Sequence, residues 1–232
     1  MSQTSQAVKF FPKAENLDEP ISARSLLPDW YKQQPGYNHF DHPTIKRCIP
    51  VFDAMSSGYF LLSPSNITVD STNHGGLVVT CDNDFDGTLI SQHDVYQYNM
   101  YPIPKGFHNH VLRINPMWGV KTPAGYSSLF IHPLHSGHRN LNALAGLIDT
   151  DNFISDGHLS FFVRSDTTFK IKKGTPLVQV IPFKRNEWES QMMSVEETQT
   201  AISNQDNSGL VVDGEHQLGG YKKLFHEPKS FR

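Results

Sequence analysis

The apolar positions of this chain come in short runs set between turn-forming residues. Ile45–Phe52, Tyr59–Leu62, Ile67–Val69, Leu77–Thr80, Val95–Tyr98, Val111–Asn115, Tyr126–His132, Leu159–Arg164 and Leu177–Phe183 are each rich in β-branched or aromatic side chains. Such runs fit a pleated, half-buried strand better than a helix. Asn73-His74-Gly75-Gly76 and Asp86-Gly87 stand between them as turns. No helical period of useful length interrupts the stretch from Thr44 to Phe183. The pattern predicts a mainly β domain over residues 44–185, as a barrel, jelly roll or sandwich.

The two ends read differently. Residues 1–43 are broken by Pro12, Pro20, Pro28, Pro35 and Pro43, which keep the chain extended as an N-terminal arm. Phe10, Phe11, Leu26, Leu27, Trp30 and Tyr31 are too apolar to leave in water, so the arm is expected to dock on the core. Leu27–Lys32 reads as one helical turn with Pro28 at its start. Beyond residue 185 the period changes. Asn186 and Glu189 form a variant capping box, and Trp188, Met192, Val195 and Gln199 follow at helical spacing, predicting one helix over Glu187–Ser203. Residues 204–232 are polar and Gly-containing, and are expected to be mobile or held by a neighbouring molecule. The predicted organisation is therefore arm 1–43, β domain 44–185, and helix with tail 186–232.

Composition narrows the partners. At 232 residues, with 38% hydrophobic and 19% charged positions, the chain suits a globular protein of one large or two small domains. A net charge of -3 argues against broad binding to nucleic acid or anionic membranes. No apolar run approaches the ~20 residues a membrane-spanning helix needs. The residues after Met1 lack the basic start and apolar core of a signal peptide, so the expected location is cytoplasmic. Cys48 and Cys81 have no metal-ligand spacing and read as thiols in a reducing compartment.

Several clusters carry candidate chemistry. Asp82, Asp84 and Asp86, followed by Gly87, have the alternating oxygens of a calcium loop. His93 rather than Glu stands at the twelfth position, and the plainer alternative is a hairpin turn. His108 and His110 share one strand face, and His132, His135 and His138 lie in one loop, so a transition-metal site is geometrically open. The loop Lys121–Tyr126 either turns the chain or offers backbone N–H groups to an anion. Neither Ser127 nor Ser128 sits in a nucleophile elbow.

Two resemblances follow from longer motifs. Leu27-Pro28-Asp29-Trp30-Tyr31-Lys32, Ile45–Pro50 with Asp53-Ala54, Lys121–Ser127, Ile148–Asp151 and Gln179–Arg185 resemble an uncharacterised protein family of tailed bacteriophages, notably those of marine cyanobacteria. That resemblance implies a phage origin, hence host cytoplasm or incorporation in the virion, and no activity. More remotely, the order of parts from Ala54 to Pro182 resembles the dUTPase and dCTP-deaminase superfamily. It implies a dUTPase-like β-barrel (β-clip) core and, first of all, a homotrimer.

Under that resemblance Ala145-Gly146-Leu147-Ile148-Asp149 matches the third motif and makes Asp149 the catalytic base. Gly125, Tyr126 and Ser127 then border the substrate, a magnesium ion holds the phosphates, and Gly219-Gly220-Tyr221 stands for the flap. Two departures weaken the enzyme. Phe60 occupies the position of the family's metal-linked aspartate, and the loop before Ser127 lacks the phosphate-gripping arginine. Each charged hydrogen bond lost there is worth ~1.5–3 kcal/mol. The leading expectation is thus a non-enzymatic virion or assembly component without a cofactor, working as a homo-oligomer alongside other virion proteins. The alternatives are a nucleotide hydrolase or deaminase using Asp149, and a metal- or carbohydrate-binding β-module.

Overall fold

The computed structural model describes residues 7–73, 75–154, 157–212, 215–217 and 219–232. His74 of the expected turn and the first six residues of the arm lie outside the described residues. The chain divides into two compact units. One comprises residues 1–29, 55–185 and 231–232; the other comprises 30–54 and 186–230.

The first unit is built from antiparallel strands. They are β1 (Lys9–Pro12), β2 (Ile21–Ser22), β3 (Tyr59–Leu62), β4 (Ile67–Asp70), β5 (Val78–Cys81), β6 (Ile90–Gln92), β7 (Leu112–Ile114), β8 (Trp118–Lys121), β9 (Tyr126–Ile131), β10 (Leu141–Ala143), β11 (Gly146–Ile148), β12 (Leu159–Val163), β13 (Thr168–Ile171) and β14 (Pro176–Lys184). They hydrogen-bond in the orders β11-β9-β14-β3-β2, β10-β12-β7-β6, β13-β4-β5 and β1-β8. The mainly β class is as the sequence predicts, with the strands shared among separate sheets. Among the described residues no sheet closes on itself; the five-stranded one ends in β11 and β2, which are only 3 and 2 residues long.

Burial follows the expected period. On β4, Ile67 and Val69 are fully buried while Thr68 and Asp70 are not. Strand β14 departs from alternation, with Leu177 to Val180 all buried, because it runs between β3 and β9 at the centre of its sheet. Its one buried polar side chain, Gln179, is satisfied: Nε2 donates to the Ser57 carbonyl at 2.7 Å and Oε1 accepts from the Leu134 N–H at 3.0 Å. The core around Phe161, Leu112, Ile114, Val120 and Val163 joins the sheets. Within the same unit, β1 pairs with β8, and Phe10 meets Tyr59 edge-on at 5.2 Å.

The second unit carries most of the helices: α1 (Asp29–Gln33), α2 (Ile49–Ser56), α3 (Val195–Gln205) and α4 (Gly220–Leu224), with the short pair β15 (Val211–Val212) and β16 (Glu215–His216). Three expectations are corrected here or in the first unit. Ile45–Phe52 is not a strand but a 3-10 turn at Ile45–Arg47 followed by α2, where Pro50 sits in the helix's first turn and costs no hydrogen bond. Val95–Tyr98 is also a 3-10 turn, capped by the Asp94 carboxylate, which accepts the Tyr96 N–H at 2.9 Å. The C-terminal helix begins at Val195, because Ser194 and Glu197 form the capping box there; Trp188 to Met193 lie before it.

The described end of the tail makes contacts within the chain. Within the second unit, His226 Nε2 and Lys229 Nζ each lie 3.0 Å from Asp53 Oδ2. Within the first unit, Phe231 packs on Tyr59, whose hydroxyl donates to the Arg232 carbonyl at 3.3 Å. No helix among the described residues is long and apolar enough to cross a membrane.

Two glycines separate steric from conformational cost. Gly58 (φ +75) and Gly125 (φ +83) both sit in the left-handed region, but a Cβ on Gly58 would lie 2.0 Å from the Val180 carbonyl oxygen, whereas one on Gly125 meets nothing within 4 Å. In urea unfolding, Gly125→Ala should cost about 1–2 kcal/mol from backbone strain alone. Gly58→Ala should cost clearly more, because strand β14 must also shift. Equal losses would contradict the tight approach.

Candidate functional site

The candidate site forms where β9, β11 and β14 end side by side. Antiparallel pairing sets Lys184 opposite Tyr126 and Ile148 opposite Ser128. The chain leaving β14 therefore emerges beside the loop entering β9, and the Arg185 N–H donates to the Gly125 carbonyl at 2.9 Å. The chain leaving β11 arrives at the same place with Asp149, Thr150 and Asp151. Their side chains alternate. Thr150 is fully buried, and its Oγ1 lies 2.7 Å from Thr122 Oγ1 and 2.9 Å from Ser128 Oγ. Asp149 and Asp151 both face Arg185.

One guanidinium gathers these groups. Arg185 donates a fork to Asp151, at 2.7 Å to Oδ1 and 2.5 Å to Oδ2, and the same Oδ2 accepts the Gly125 N–H at 2.7 Å. Arg185 also lies 3.3 Å from Asp149 Oδ1 and 3.0 Å from Ser127 Oγ, while that hydroxyl donates to Asp149 Oδ1 at 2.6 Å. The Asp151 side chain is only 5% exposed and that of Asp149 is 56% exposed. The hydrogen bonds from Arg185, helped by the Gly125 N–H, pull the Asp151 carboxyl down to about 2 against the drag of burial. The same bond to Asp151 raises Arg185 above its ordinary value.

This places most of the sequence-predicted residues together. Asp149, Ser127 and Gly125 meet at one point, and Tyr126 supplies a carbonyl 3.4 Å from Arg185. The loop Lys121–Tyr126 turns the chain, its Tyr126 N–H donating to the Pro123 carbonyl at 3.2 Å, and its Gly125 N–H is taken by the chain's own Asp151. Phe60 is buried against Ala23 and Leu62. Tyr221 belongs to α4 in the other unit. Arg185 and Asp151 were not singled out as site residues. Their only sequence signal was a basic residue closing the β14 run and a second carboxylate two places after Asp149.

The other clusters stand apart. The three aspartates of Asp82–Gly87 do not converge: Asp82 Oδ2 accepts from Asn66 Nδ2 at 2.7 Å, and the loop closes on itself through Thr88 N–H to the Asp84 carbonyl at 3.1 Å. His108 and His110 have ring centroids 5.0 Å apart, and His132 and His138 6.2 Å apart. Among the described residues no group of three or more His, Cys, Asp or Glu is placed to hold a metal ion. At the site itself, both carboxylates bond one guanidinium.

Among known proteins, no family model matches the chain, and none of the curated proteins does either. Solved structures do match at low identity. The dUTPase of phage phi11 of S. aureus is 13% identical over 82% of this chain and 97% of its own, with a TM-score of 0.38. The dUTPase of Staphylococcus bacteriophage 80alpha is 13% identical over 82% and 96%, with a TM-score of 0.37. The EIAV dUTPase is 9% identical over 60% and 84%, at 0.33. Likeness at this level does not carry the activity of those enzymes across.

The depressed Asp151 carboxyl gives a signed prediction. Its folded value lies below its unfolded value of 3.8, so its stabilisation is fully present above that value and is lost as pH falls through about 2. The stability gap between the wild type and Asp151→Asn, followed by urea unfolding, should be constant near neutrality and close between those two pH values. A gap that widened on acidification would overturn the ion pair.

Proposed function

We propose that this chain is a phage-encoded, non-enzymatic virion or assembly component, built on a core laid out in dUTPase order. One observation carries the reading: the surviving acidic group of that core, Asp149, is bonded to Ser127 and to Arg185, whose fork is already taken by Asp151. The cation nearest the carboxylate thus neutralises the chain's own acid instead of a phosphate. The buried Phe60 supports the same view, since a magnesium-bound triphosphate needs oxygen ligands and cationic partners for its charge. The phage motifs quoted above support the origin.

The assembly role and a homo-oligomer, a trimer first, find support in the stretch around α3. Trp188 (85% exposed), Met192 (93%) and Val195 (71%) leave apolar side chains in water, which a single soluble copy has reason to cover. A nucleotide hydrolase or deaminase is the second reading, favoured by the 56% exposure of the Asp149 side chain, which leaves it open to water.

Incubation with dUTP or dCTP and magnesium should release neither pyrophosphate nor ammonia. Turnover that disappears in Asp149→Asn would make the enzyme the right reading. Sedimentation velocity at micromolar concentration should give an oligomer that the double change Trp188→Glu, Met192→Glu dissociates. A wild type that sediments as a monomer would contradict self-assembly.

A further inference from the structure

The histidine loop that the function leaves unused forms one wall of a separate cavity. Between the chain after β9 and the strand β13, the first unit encloses about 510 Å³, a volume in the range of small-molecule sites. Arg139 lines one side, and Lys170 and Lys172 line the other. Lys170 lies on β13 and Lys172 directly follows its end, and both side chains are exposed. Among the described residues that line the cavity there is no Asp or Glu, and none of these three cations takes part in an ion pair.

The remaining walls are of two kinds. Phe169 and Pro176 are half-buried and give the cavity its apolar part, while Leu177 is fully buried. His132 and His138 close the third side. His132 Nδ1 accepts the Ala143 N–H at 3.3 Å, which leaves its proton on Nε2, beside Ser136 Oγ at 3.3 Å. Burial, then the neighbouring His138, pushes the His132 ring down to about 4, so at neutral pH it is a neutral donor.

Three uncompensated cations around an apolar floor ask for a compact dianion attached to something greasy. A guanidinium fork and two ammonium groups match the oxygens of a phosphate group. Carboxylate-rich or sugar ligands would leave either the floor or the charge unused. We propose that this cavity binds a small phosphate ester, with the phosphate held by Arg139, Lys170 and Lys172 and the apolar body resting on Phe169 and Pro176. The assignment is independent of the scaffold reading, because Asp149, Asp151 and Arg185 do not line the cavity.

Calorimetric titration at physiological salt tests it with three probes: phenyl phosphate, inorganic phosphate, and vesicles of phosphatidylcholine containing phosphatidic acid. Phenyl phosphate should bind one-to-one and more tightly than inorganic phosphate. The double variant Arg139→Gln, Lys172→Gln should weaken it by more than about tenfold, since at least one charged hydrogen bond is lost, with the melting temperature unchanged. Lys170→Gln alone should weaken it as well and guards against a misfolded double variant. In proton NMR the His132 ring should titrate at a higher pH when phenyl phosphate is bound. No binding of phenyl phosphate, equal binding to the double variant, or binding to the vesicles alone would each overturn the assignment.

Discussion

The fork from Arg185 to Asp151 is the contact on which the site depends. It joins three strand ends that pairing alone leaves only adjacent: the exit of β14, the entry of β9 and the exit of β11. A carboxylate with a side chain 5% exposed is costly to keep charged unless it is paired and fully hydrogen-bonded. Asp151 meets that condition with three donors, two from Arg185 and one from the Gly125 N–H. Removing the arginine would leave the charge stranded, so the geometry around Ser127 and Asp149 stands or falls with this pair.

The same contact sets the functional argument. A β core of this layout can host many chemistries, and only the site decides between them. Here the guanidinium at the strand ends is answered inside the chain, its fork on Asp151 and its edge on Asp149, with the Ser127 hydroxyl bridging. Across the same unit the opposite situation holds around Arg139, Lys170 and Lys172, where positive charge has no internal acid to answer it. The first arrangement is what a fold uses to fix itself; the second is what a fold leaves open for something else.

Much of this was legible in the residues, and the failures have physical causes. The runs that became β3, β4, β9, β12 and β14 announced themselves because β-branched and aromatic residues were bounded by turns. Ile45–Phe52 misled because a short apolar run does not distinguish a buried strand from a helix turn. The C-terminal helix was displaced because Trp188, Met192 and Val195 happen to share helical spacing, while the cap that starts it is Ser194 with Glu197. β10 and β11, at three residues each, are too short to show a period, and in β13 the polar Thr168 and Lys170 interrupt the apolar positions. At the site, Asp149, Ser127 and Gly125 could be picked from motif order. Arg185 could not, since its place opposite Gly125 comes from the register of β14 on β9, which no local pattern states. The phosphate cavity was hidden for the same reason: Arg139 and the two lysines are far apart in sequence and meet only through the fold.

Titrating the wild-type protein with a non-hydrolysable dUTP analogue and magnesium in a calorimeter addresses the central claim most directly, because it asks whether Arg185 and Asp149 can accept a polyphosphate at all. The self-paired site predicts no saturable heat attributable to those residues. One-to-one, magnesium-dependent binding that vanishes in Asp149→Asn would contradict it.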